Sequence, residues 1–265
     1  METAPSPPFA EPARQGRAGR GGFLDIDWRG AWVEMDAARK APDDSAYWDG
    51  RAEEFARFAN PSPYAEAFIE RLGLKAGDSL LDVGCGTGNL ARPLAHRGHR
   101  IVAADFSQKM LDAAARLAAE EGLAGIEFVK LDFNDPWERW QAAGIGGKSV
   151  DVAIASRSTM IRDFQAACEK LEQVARAQVA VTVSTEYGPR GLRRLGSDVT
   201  DGGAAPGGGQ GGVPYVPNHI LALNILFAQG RYPELCYLDS MKENGDGSLR
   251  LIRWAFIKWD VQPQP

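Results

Sequence analysis

The chain is short of cysteine, of histidine, of long apolar runs and of excess positive charge, and each shortage removes a class of protein. Its three cysteines, Cys85, Cys168 and Cys236, are odd in number and far apart. No disulfide framework is expected from them, and a reducing, cytoplasmic setting suits them. They lack zinc spacing, and the three histidines add none, because His96 and His99 stand together and His219 stands alone. No metal centre is therefore expected. No apolar run approaches the roughly 18 residues of a membrane helix. The opening stretch "METAPSPPFAEPARQGRAGRGG" lacks the apolar segment of a secretory signal. The formal net charge of −5 has the wrong sign for a surface that wraps nucleic acid.

What is present fits a globular protein with a sizeable core: 265 residues, 44% apolar and 25% charged. Residues 1–22, rich in Pro, Gly, Ala and Arg, read as a disordered tail. Residues 23–75 read as a helical extension in which Trp28, Trp32, Tyr47, Trp48, Phe55 and Phe58 are interleaved with charges. There, "AYWDGRAEEFARFAN" has the spacing of one amphipathic helix, with Trp48 and Phe55 on one face and Tyr47 and Arg51 together on another. Ser62 and Pro63 open a second helix that stops at Gly73.

From residue 76 to 265 the pattern is strand, helix, strand, helix. The strands are "DSLLDVG", "RIVAADF", "IEFVKLD", "SVDVAIAS" and "AQVAVTVS". Helices are expected at 88–97, from Ser107 to Gly122, at "DPWERWQAA" with Asp135 as cap, and over 159–176. Pro93 stands in conflict with the first of these. Strands that are apolar on both faces and alternate with helices imply a mostly parallel sheet between helix layers. Residues 196–213 read as a flexible glycine-rich loop, since 202–212 hold seven glycines in eleven positions. A helix over 217–229 and the strands "ELCYLDS" and "SLRLIRWAFIKW" follow, the strands as an antiparallel hairpin.

The stretch "LLDVGCGTGN", residues 80–89, sets three glycines at every second position where the first strand ends. Ligands of open parallel sheets bind at such strand-to-helix turns. The spacing is G-x-G-x-G, with Asp82 two residues ahead, and not the G-x-G-x-x-G of dinucleotide sites. These residues, with "ADFS" at the second strand end and "KLDF" at the third, resemble the nucleotide-binding motifs of class I S-adenosylmethionine (SAM) dependent methyltransferases. The resemblance covers residues 45–185 well and 213–261 by element order.

The resemblance implies a Rossmann-like, doubly wound, seven-stranded fold with an antiparallel C-terminal hairpin and an N-terminal helical extension as lid. It implies SAM as cofactor, S-adenosylhomocysteine as product and a small-molecule methyl acceptor, with neither nucleic acid nor membrane as partner. Asp82 would contact the methionine amino group, and the backbone of Gly84, Cys85, Gly86 and Gly88 would lie against the cofactor. Asp105 would accept both ribose hydroxyls, with Phe106 and Met110 beside it. Asp132 would reach the adenine amino group, with Phe133 beside the ring. Arg51 would pair with the cofactor carboxylate, Tyr47 would line the methyl channel, and Ser156 would complete the wall.

Acceptor class is read after the fourth strand, where "AIASRST" is neither an Asn-Pro-Pro-Tyr motif nor a Pro-Cys nucleophile. Arg157, Tyr187 and His219 are the candidates for the acceptor pocket. The alternatives left open are a non-catalytic SAM-binding regulator, an NAD(P)-dependent oxidoreductase using Asp105 on the ribose, and a nucleic-acid or protein methyltransferase.

Overall fold

A computed structural model describes residues 26–37, 44–57, 62–185, 217–243 and 247–261. The expected loop at 196–213, and Tyr187 before it, lie outside the described residues.

Helices α1 (Trp28–Ala37), α2 (Ser45–Asp49), α3 (Ala52–Arg57) and α4 (Pro63–Leu72) precede the sheet. Then β1 (Ser79–Val83), α5 (Ala91–His96), β2 (Arg100–Asp105), α6 (Gln108–Glu120), β3 (Ile126–Lys130), α7 (Trp137–Ala142), β4 (Val150–Ala155), α8 (Phe164–Val174) and β5 (Ala175–Ser184) alternate. Helix α9 (Asn218–Ala228) leads to the hairpin of β6 (Glu234–Glu243) and β7 (Leu249–Asp260). The seven strands lie in the order β3-β2-β1-β4-β5-β7-β6. β1 pairs in parallel with β2 and β4, while β7 pairs antiparallel with both β5 and β6. The expected mostly parallel sheet and C-terminal hairpin are thus both present.

Alternation along the strands divides the core between the two faces. Leu81 and Val83 of β1 join Trp140, Phe164, Leu221 and Leu226 on one face, and Leu80 joins Phe68, Leu72, Leu94 and Phe256 on the other. Each strand is buried on both sides because helices cover both. Trp28 and Trp32 of the N-terminal extension belong to the first cluster. Trp32 donates its Nε1–H to the Ile161 carbonyl at 2.8 Å, and Arg29 pairs with Asp163 at 2.6 Å.

Four helix boundaries differ from the sequence expectation, each for a local reason. The 46–60 helix is broken into α2 and α3 at Gly50 and Arg51, where glycine is a poor interior helix residue. The helix after β1 begins at Ala91 and not at Gly88. Pro93 therefore falls in the first turn, where its missing N–H has no intrahelical partner to lose. Asp163 caps α8 through the Ala166 N–H at 3.1 Å, which leaves 159–162 as loop. Pro136 and not Asp135 is the cap residue of α7. The Asp135 carboxylate accepts instead from Asp132 N–H at 2.9 Å and from Arg139 Nε at 3.2 Å.

Candidate functional site

The turn after β1 is built on backbone that side chains resist. Gly84, Gly86 and Gly88 all have positive φ, at 76°, 54° and 81°, a region glycine enters without steric cost. A Cβ on Gly84 would lie 2.3 Å from the Ser158 Cβ, whereas one on Gly86 would meet nothing within 4 Å. Gly84 is therefore demanded by the post-β4 loop, and Gly86 leaves its side of the turn open to a ligand. Ser158 Oγ donates to the Val83 carbonyl at 2.8 Å, which ties that loop under the turn.

Parallel pairing of β1 with β2 brings the two strand-end acids together. Gly84 and Cys85 donate their N–H groups to the Ala104 carbonyl at 2.7 and 3.0 Å. Asp105 accepts from Gly86 N–H through Oδ2 and from Ser107 N–H through Oδ1, both at 2.9 Å. Burial pushes the Asp105 carboxyl above its ordinary value, against those backbone donors. Asp82, only 2% exposed, is pushed to about 7 by burial and by the Asp105 charge, with the Arg157 guanidinium opposing. Cys85 is buried and its thiol is raised well above the usual range, first by burial, so it is no nucleophile at neutral pH. Thr87 Oγ1 and Asn89 Oδ1, in the same turn, are buried without hydrogen-bond partners among the described residues. A buried carboxylate, two polar atoms without partners among the described residues and an open glycine face fit a bound group that offers a cation and hydrogen-bonding atoms.

The remaining candidates lie on several elements. Met110 is buried in the first turn of α6, where its N–H reaches the Ser107 Oγ at 3.2 Å. Asp132 accepts from the Asn134 backbone and side chain at 2.8 and 3.0 Å, and its neighbour Phe133 packs 6.1 Å from the Trp140 ring. Phe106 is half-buried at the end of β2. Ser156 Oγ lies 2.7 Å from the Tyr64 hydroxyl, which also lies 2.9 Å from Thr182 Oγ1. Arg157 has a positive φ of 58° and sets its guanidinium 4.6 Å over the Tyr64 ring. Tyr47 and Arg51 meet each other, with Arg51 Nη1 donating to the Tyr47 hydroxyl at 3.0 Å and Arg51 Nε buried without a partner among the described residues. His219, buried, stands at the start of α9.

Sequence reasoning missed four contributors: Asp49, Tyr64, Ser158 and Asn218. Asp49 accepts from Ser107 Oγ at 2.5 Å and from Lys109 N–H at 3.2 Å, so the extension itself caps α6 beside Asp105. No local signal marks a contact 58 residues apart. Among the described residues no group of three or more His, Cys, Asp or Glu is placed to hold a metal ion.

Residues 80–178 match the family described as a methyltransferase domain. An uncharacterized protein of Haemophilus influenzae is 28% identical over 73% of this chain and 66% of its own length. The nocamycin O-methyltransferase of Saccharothrix syringae is 29% identical over 55% of this chain and 49% of its own. The matched stretch thus spans about two thirds of the first relative and half of the second. A solved SAM-dependent methyltransferase from Aquifex aeolicus shares the fold with a TM-score of 0.53 at 17% identity, over 81% of this chain and 98% of that one. Residues 80–178 thus resemble a methyltransferase domain in sequence, and the wider chain shares its fold with a solved SAM-dependent methyltransferase.

Proposed function

We propose that the protein binds SAM at the β1 turn and transfers its methyl group to a small-molecule acceptor. The observation that carries this reading is the buried Asp82, raised to about 7 by burial and by the neighbouring Asp105 charge, at an open glycine turn. When bound there, SAM supplies a sulfonium whose methyl group is electrophilic. In this reading Asp82 holds the cationic amino group, which relieves its burial and its repulsion from Asp105. Asp105, whose oxygens are aimed by Gly86 and Ser107 N–H groups, accepts the ribose hydroxyls. Asp132 and Phe133 take the adenine end, and Arg51 with Tyr47 closes over the methionine end. The chain's task is then to hold donor and acceptor at near-attack distance without water, an effect that can supply about 7–11 kcal/mol.

The small-molecule class is supported by relatives named as O-methyltransferases of ubiquinone biosynthesis and of nocamycin. Among the described residues no helix is long and apolar enough to cross a membrane. Calorimetry with SAM, S-adenosylhomocysteine and NAD tests the cofactor assignment directly. One site for each sulfur compound and none for NAD is the expected result. A chain that binds NAD and neither sulfur compound overturns the reading.

A further inference from the structure

The post-β4 loop joins the glycine turn to the start of α9 within three residues. Ser158 bonds the Val83 carbonyl, and Met160 Sδ lies 3.6 Å from Asn218 Nδ2. Both β5 and β6 are antiparallel to β7, so they run the same way. The helix between them therefore starts at the edge where the parallel strands end, which is the ligand edge of such sheets. Two polar side chains at that helix start are buried without full pairing. Asn218 is 2% and His219 8% exposed, yet Asn218 Oδ1 and His219 Nδ1 have no hydrogen-bond partner among the described residues. His219 Nε2 faces the Tyr237 hydroxyl at 3.5 Å, with the two rings edge-on. Burial lowers the His219 pKa, so the ring is neutral near pH 7.

In the tautomer that donates its Nε2 proton to the Tyr237 hydroxyl, the neutral imidazole presents a lone pair at Nδ1, and Asn218 Oδ1 presents others. Two unfilled acceptors on consecutive residues call for a group that brings a proton. A carboxylate brings only more lone pairs and a charge, and leaves both atoms unsatisfied. Beside this pole the hairpin supplies an apolar wall. Tyr237 and Met241 alternate onto one face of β6, with Leu251 opposite Met241. That part of the hairpin runs past Ser184, where β5 pairing ends at Trp254.

We propose that Asn218 and His219 form the acceptor site for a hydroxyl group carried on an apolar body, with His219 as proton acceptor; this rests on the methyltransferase reading above. As the acceptor oxygen gains the methyl group, its O–H proton passes to His219 Nδ1. The electron pair of the broken carbon–sulfur bond stays on sulfur, and the imidazolium then gives its proton to solvent.

Matched naphthalene probes test this on the chain saturated with S-adenosylhomocysteine. 2-Naphthol is expected to bind at least ~10-fold tighter than 2-methoxynaphthalene, which lacks the donor, and than 2-naphthoate. The preference collapses in Asn218→Ala and in His219→Gln and weakens in Tyr237→Phe, whose exposed side chain makes folding failure no concern. With SAM and 2-naphthol, His219→Gln lowers kcat by about 100-fold while the SAM dissociation constant stays within ~2-fold. Equal binding of naphthol and its methyl ether, a preference for naphthoate, or a preference retained in Asn218→Ala and Tyr237→Phe overturns the assignment. The binding comparison reads out even without turnover. Failure to bind S-adenosylhomocysteine at all instead sinks the cofactor reading, which separates the two.

Discussion

Asp105 is committed on both oxygens to backbone N–H groups, Gly86 in the turn after β1 and Ser107 in its own, so its side chain serves the fold and the proposed ribose contact together. Asp105→Ala is expected to weaken S-adenosylhomocysteine at least ~10-fold, because charge-assisted hydrogen bonds are worth about 1.5–3 kcal/mol each. It should also lower stability by about 1–3 kcal/mol through the two orphaned N–H groups. Calorimetry and urea melts check the two effects separately, and an unchanged affinity would leave Asp105 with the turn alone. Asp82 gives a second, pH-resolved expectation. Its carboxyl is raised from 3.8 to about 7, so the folded chain retains a proton that the unfolded chain has released. Its contribution to stability is therefore greatest below about 3.8, falls as pH rises towards 7, and is level above that. A cationic ligand group favours the ionised form, so SAM affinity should rise as pH approaches 7 and flatten beyond it, with proton release on binding below 7. Titrations in buffers of different ionisation enthalpy measure that release, and Asp82→Asn should abolish it.

At the scale of elements, the glycine turn and the α2–α3 segment make separable predictions. Gly84 and Gly86 look alike in sequence but differ in what surrounds them. Gly84→Ala must displace Ser158 and is expected to cost more than about 2 kcal/mol of stability. Gly86→Ala meets open space, so it should cost about 1 kcal/mol from its positive φ while weakening cofactor binding more strongly. Chemical denaturation beside calorimetry distinguishes them, and equal stability losses would contradict the argument. The α2–α3 segment touches α6 through Asp49 on Ser107 and Lys109, while Arg51 and Tyr47 bond each other above it. We propose that this segment closes over the bound cofactor. Hydrogen exchange on residues 44–57 should then slow when S-adenosylhomocysteine binds, and should quicken in Asp49→Ala. Exchange that ignores the ligand would make the segment permanent packing.

Over the whole molecule, α1 behaves as part of the core and not as an appendage. Trp32 is 1% exposed, packs 4.8 Å from the Phe164 ring and bonds the loop after β4. Removing a buried tryptophan side chain costs about 3–5 kcal/mol. Trp32→Ala is therefore expected to lower the single unfolding transition of the entire domain, followed by circular dichroism at several wavelengths. A separate early transition confined to the N-terminal residues, with the main one unmoved, would show that α1 folds apart from the sheet.

The strand–helix alternation, the glycine turn and the acids at the ends of β1, β2 and β3 were all legible in the sequence. Apolar runs and periodicity report which faces an element must bury, and G-x-G-x-G reports a backbone shape. Those are properties of neighbouring residues. Other features belonged to tertiary structure alone. Ser158 beneath Gly84 comes from a loop 74 residues later. The Trp32 ring is claimed by Phe164 and Ile161, and the unsatisfied Asn218 and His219 become visible only once β4, α9 and β6 converge. Local pattern determines that a side chain needs a partner; the packing of distant elements decides which partner it meets, and where none is supplied.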